Sequence, residues 1–113
     1  MMRKKHVPTP GRPVRGSTTG RPIMAALDLA GRRWLLRILW ELRAEALTFR
    51  VLQERCGAIS PTVLNTRLAE MREAGLLAPS DAGYLLTPRG RELIEALTPL
   101  TRWAERWARE DGQ

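Results

Sequence analysis

Between residues 56 and 61 the chain reads CGAISP, and this short stretch restricts the fold more than any other. Upstream of it, Thr48 suits a helix N-cap, and "FRVLQERC" spaces Leu52 and Cys56 as neighbours on one helical face. Gly57 ends that helix, Ala58 and Ile59 form a tight link, and Ser60-Pro61 opens the next helix as a cap and N1 pair. The second helix stops at Gly75, which suits the left-handed position just past a helix end. Two helices joined by a short glycine-containing turn are a helix-turn-helix candidate.

The flanking sequence completes the frame. From Pro22, Ile23, Leu27 and Ala30 recur at helical spacing until Gly31. In "RRWLLRILWELRAE", Leu35, Ile38, Leu39 and Leu42 make one apolar face that Leu36 and Trp40 widen. Arg37 and Glu41 leave only a narrow polar strip, so this helix belongs at the centre of a small domain. Past Gly75, Leu76–Ala78 and Tyr84–Leu86 can pair as short strands around a Pro-Ser-Asp-Ala-Gly turn. Thr87-Pro88 then starts a last helix with Leu93, Ala96, Leu97, Leu100, Trp103, Ala104 and Trp107 on one stripe, and Pro99 predicts a kink or a break within it. A helix-turn-helix followed by a hairpin is a winged helix. The expected fold is mainly α with a small β-hairpin, occupying residues 21–110.

The helix from Ser60 carries the candidate function. At about 100° per residue, Leu64, Leu68 and Met71 share one side, while Thr62, Asn65, Thr66, Ala69 and Glu73 fall on or towards the other. Ser, Thr and Asn near a helix start are ordinary capping residues. The same side chains both donate and accept hydrogen bonds, which suits the mixed donor and acceptor pattern of base edges in a major groove. Helix-turn-helix spacing and a following hairpin favour the second reading. Thr62, Asn65 and Thr66 are therefore assigned to bases, with Ser60 and Arg67 on phosphate.

Charge points the same way. Residues 1–22 hold Arg3, Lys4, Lys5, Arg12, Arg15 and Arg21 with no acid, while the rest of the chain balances to +1 of the total +7. Residues 1–20, rich in Pro, Gly, Ser and Thr, are expected to be a disordered basic arm, either solubilising or able to displace phosphate counterions. No apolar run is long enough for a membrane span or a signal peptide, so a cytoplasmic location is expected. His6 is the single histidine and Cys56 the single cysteine, which disfavours a metal site or a Cys-His nucleophile. No glycine-rich phosphate loop is present. Neither enzymatic activity nor a cofactor is expected.

From about Arg21 to Arg109 the chain resembles the HxlR family of bacterial winged-helix transcription regulators. The resemblance rests on "PIMAALDLAGRRWLLRILWEL" (22–42), "TFRVLQERCGAISPTVLNTRLAEMREAGLL" (48–77), "YLLTPRGREL" (84–93) and "LTRWAERW" (100–107). Its most specific parts are Ser-Pro-x-Val-Leu-x-x-Arg-Leu and Leu-Thr-Pro-x-Gly. It implies a sequence-specific homodimer on double-stranded DNA that represses or activates nearby genes, repression being the preferred reading. It also implies a reading head at Ser60–Arg67, and a dimer built by the first and last helices through Ile23, Leu27, Leu100, Trp103 and Trp107. Many family members carry a cysteine just before the proline of the first helix; this chain has Arg21 there, and redox sensing is not carried over. The wing turn, PSDAG, lacks the basic residues common in the family, and the basic arm is the natural source of the missing contacts. The competing readings are a nonspecific nucleoid or RNA-binding protein and a winged-helix protein-interaction module without a DNA target.

Overall fold

The computed structural model describes residues 7–112. Helices α1 (Pro22–Ala30), α2 (Leu35–Glu41), α3 (Phe49–Cys56) and α4 (Pro61–Glu73) precede the hairpin β1 (Leu77–Ser80) and β2 (Gly83–Leu86), and α5 (Pro88–Asp111) follows. The element order is that of a winged helix-turn-helix. Three of the helix starts are made by local chemistry. The amides of Val51, Val63 and Gly90 donate to the side-chain oxygens of Thr48, Ser60 and Thr87, each at 3.1–3.2 Å.

The core is built around α2, where Leu35, Ile38, Leu39 and Leu42 are fully buried. Leu52 and Cys56 from α3, Leu64, Leu68 and Met71 from α4, and Leu76, Leu77 and Leu86 from the wing close over them. Each leucine so buried contributes about 1.5–3 kcal/mol relative to exposure. Trp40 stays at the edge of this core, with the Arg43 guanidinium 3.9 Å from its ring centre.

The helix α2 is shorter than the apolar run that contains it. Trp34 takes φ +77°, a left-handed conformation that a non-glycine residue rarely adopts, and α2 starts only after it. Gly75 is the C′ residue of α4. Its amide donates to the Arg72 carbonyl at 3.0 Å and the Leu76 amide to that of Met71 at 2.8 Å, a Schellman turn with Gly75 at φ +79°.

The hairpin is longer and tighter than the sequence predicts. Leu77 pairs with Leu86, and Ser80 with Gly83, leaving only Asp81 and Ala82 in the turn. A third chain segment joins it, because Leu47 exchanges both backbone hydrogen bonds with Tyr84 at 2.7 and 3.1 Å. Gly83 sits at φ +119°, and a β-carbon there would meet the Leu47 carbonyl oxygen at 2.2 Å, so only glycine permits this approach.

Two further expectations are corrected. The chain stays helical through Pro99, so α5 is one element of 24 residues, and of the expected kink or break the break does not occur. Residues 7–20 also depart from the expected disorder. Val14 and Ser17 exchange two backbone hydrogen bonds, the Ser17 hydroxyl accepts from the amides of Gly20 and Arg21, and Val7 is buried. Glycine- and proline-rich sequence suits tight turns as well as disorder, and here the turns prevail. Among the described residues, no helix is long and apolar enough to cross a membrane.

Candidate nucleic-acid interface

The helix-turn-helix pair is α3 and α4, and the packing of α4 decides which side chains reach solvent. Leu64 and Met71 are fully buried and Leu68 nearly so. The opposite side presents Thr62, Asn65, Thr66 and Ala69, all exposed, with Ser60 and Pro61 exposed at the helix start. The residues assigned to bases are therefore brought together on one open surface.

Their hydrogen-bonding capacity differs. The Ser60 oxygen accepts from Val63 and so closes the helix start, which leaves its hydroxyl hydrogen to donate outward. The Thr66 hydroxyl donates to the Thr62 carbonyl. No hydrogen bond among the described residues engages the Asn65 amide, which presents both a donor and an acceptor.

Arg67 does not sit where the sequence places it. Its Nε donates to the Arg33 carbonyl at 2.7 Å and its Nη1 to Glu70 Oε1 at 3.0 Å, with the side chain only 21% exposed. Two of its guanidinium nitrogens, Nε and Nη1, are thus engaged within the protein rather than presented outward. The second oxygen of Glu70 accepts from Arg32, in the loop between α1 and α2. Sequence reading missed this three-residue network. The Arg67–Glu70 half carries an i,i+3 signal, whereas Arg32 lies 38 residues from Glu70 and gives none.

The wing offers Ser80, Asp81 and Ala82 to solvent, without a cation at its tip. Of the arm cations, Arg3, Lys4 and Lys5 lie outside the described residues, as does His6. Arg12 and Arg15 are exposed on the folded-back segment, where the Arg15 amide donates to the Asp28 carboxylate at 3.2 Å. Pro8 and Pro10 line, with Ala25, Leu29, Ala74 and Leu76, a cavity of about 420 Å³.

The apolar residues assigned to a dimer interface are all uncovered. Ile23 and Leu27 on α1 are 62% and 55% exposed, and Leu100, Trp103 and Trp107 on α5 are 53%, 50% and 54%. The Trp103 and Trp107 rings stack with centres 5.2 Å apart, and the Trp107 indole N–H donates to Asp111 at 3.0 Å. Cys56 is buried in the core, and burial pushes its thiol pKa above the ordinary value; Arg37 opposes this and Glu41 adds to it. Among the described residues no cluster of His, Cys, Asp and Glu could hold a metal ion.

The family model for an HxlR-like helix-turn-helix matches residues 29–112. The chain is 34% identical over 95 residues to Rv3095, named an uncharacterized HTH-type transcriptional regulator, of Mycobacterium tuberculosis. That match covers 78% of this chain and 60% of the relative, so the chain spans less than two thirds of that protein's length. Among solved structures, the quinone-bound YodB from Bacillus subtilis superposes with a TM-score of 0.72 at 26% identity, covering 75% of this chain and 97% of that one. A regulator of the MarR family from Enterococcus faecalis V583 also gives 0.72, at 27% identity over 88% and 96% of the two chains. The chain belongs to the HxlR family of helix-turn-helix transcriptional regulators, a family of regulators rather than enzymes.

Proposed function

We propose that this HxlR-family chain is a sequence-specific DNA-binding regulator that acts as a homodimer, with α4 in the major groove and repression as its output. The observation that carries the reading is the exposed Thr62–Asn65–Thr66 surface, opposite the buried stripe of Leu64, Leu68 and Met71. A helix in a major groove contacts base edges through its N-terminal residues, and these lie on the first turns of α4. An interaction module without a DNA target would present apolar side chains there instead.

The dimer is supported by the uncovered apolar faces of α1 and α5. Tryptophans half exposed on a small domain are a liability in a monomer, and a twofold pairing of these helices would bury them. A dimer bound across a promoter blocks access to it, which is the simplest route to repression.

Selection of bound duplexes from a random DNA pool, followed by affinity measurements on the selected and on random sequences, tests the reading. We expect a preferred, twofold-related pair of half-sites and a large affinity ratio. A ratio near one would favour a nonspecific nucleic-acid binder and sink the proposal.

A further inference from the structure

Both oxygens of the Glu70 carboxylate are occupied, and by different parts of the chain. Arg67, one turn earlier on α4, holds Oε1, and Arg32, in the loop between α1 and α2, holds Oε2. Arg67 extends the same tie by donating to the carbonyl of Arg33 in that loop. The loop itself is held in a defined shape by the left-handed Trp34 that follows. Glu70 is therefore the junction through which the exposed helix α4 is bolted to the segment leaving α1.

Stability alone is a poor reason for such a junction. The side chains of Glu70, Arg67 and Arg32 are only 17%, 21% and 29% exposed, so the three charges are partly desolvated and that cost offsets part of the Coulombic gain. Arg32 Nε is also buried with no hydrogen-bond partner, an added cost. What the network supplies is direction. Burial of Leu64, Leu68 and Met71 decides which side of α4 faces the body, and the Glu70 tie adds directional, charge-assisted hydrogen bonds that restrict the remaining roll about the helix axis. With side chains at a radius of about 5–6 Å, a roll of about 20° displaces the Asn65 tip by roughly 2 Å. That displacement exceeds the tolerance of a hydrogen bond to a base edge.

We propose that Glu70, held between Arg32 and Arg67, is a positioning residue that sets the roll of α4 relative to the α1–α2 loop and thereby the accuracy of base reading. The inference rests on the DNA-reading function proposed above. It makes the loop after α1 part of the specificity machinery, although Arg32 is not on the reading helix.

The test uses Glu70→Gln, Arg32→Gln and the double variant in the full chain. Affinity is measured for the duplex that the wild type selects and for random duplex, alongside thermal unfolding. The two single substitutions change net charge in opposite directions. A pure charge effect would move affinity for both DNAs up in Glu70→Gln and down in Arg32→Gln, leaving the ratio of specific to random affinity unchanged. We expect that ratio to fall about tenfold in both single variants, and no further in the double variant, because the two residues act through each other. An unchanged ratio in both would overturn the inference. So would a ratio lost only together with the cooperative unfolding transition, which would assign the network to the fold. A wild-type chain that selects no sequence would overturn the DNA-reading proposal itself, and this one with it, before any variant is made.

Discussion

The Thr66 hydroxyl donates its hydrogen to the Thr62 carbonyl one turn earlier, at 3.0 Å. Towards solvent it is then left with acceptor capacity only, whereas the neighbouring Asn65 amide keeps both a donor and an acceptor. In a major groove, the partners of an acceptor are the amino groups of cytosine and adenine. We predict that Thr66→Val weakens binding to the selected duplex while Thr66→Ser preserves it, and that the base facing Thr66 is a cytosine or an adenine. Asn65→Ala should cost about tenfold or more on the selected duplex and little on random DNA. Equal losses on both duplexes would remove Asn65 from base reading.

Trp103 and Trp107 form the apolar end of α5, past the last partly buried core residue, Leu97. In the homodimer proposed above, replacing both with Ala should raise the dissociation constant by about a hundredfold or more, given what central aromatic residues contribute to interfaces. Sedimentation velocity at micromolar concentration would show it as a monomer. A double variant that sediments as an intact dimer would place the interface elsewhere.

The arm divides into two experiments. Deleting residues 2–6 removes Arg3, Lys4 and Lys5 and leaves the folded segment after them. If those cations meet phosphates, the slope of log affinity against log salt should flatten by up to about 3. Deleting residues 2–20 also removes buried Val7 and the turn around Ser17, so it should in addition lower the unfolding temperature. A salt slope identical to wild type in both truncations would make the arm a bystander in binding.

Cys56 should behave as a packed thiol. Its raised pKa means that the thiolate fraction at any neutral pH is lower than for a free cysteine, and the buried sulfur is screened from reagents. We expect native-state alkylation at pH 7.5 to run at least about tenfold slower than in the unfolded chain, with the rate profile displaced to higher pH. Rapid alkylation of the native protein at neutral pH would contradict this and reopen a sensing role.

What was legible in the sequence was local. Thr48, Ser60-Pro61 and Thr87-Pro88 mark helix starts because a cap and its amide partner lie within one turn, and Gly75 marks a helix end for the same reason. The apolar stripe of α4 could be drawn from spacing alone, and with it the exposed Thr62, Asn65 and Thr66. The misses involve partners distant in sequence or a conformation that no residue type announces. Trp34 shortens α2 by adopting a backbone shape usually left to glycine. Leu47 reaches Tyr84 through one isolated bridge, too short to leave a strand pattern. Arg67 reads as a surface cation until the Arg33 carbonyl and Glu70 are placed beside it. Pro and Gly in residues 7–20 are equally compatible with turns and with disorder, and composition cannot separate the two.

Leu76 joins three elements with its own backbone. Its amide closes the end of α4 on Met71, its carbonyl accepts from Thr87 at the start of α5, and it leads directly into β1. Gly90 presses against the same carbonyl, where a β-carbon would come within 2.2 Å. The end of α4, the root of the wing and the base of the last helix thus meet at the backbone of one residue. A substitution that displaced the Leu76 backbone would therefore be felt at the end of α4, in β1 and at the start of α5 together.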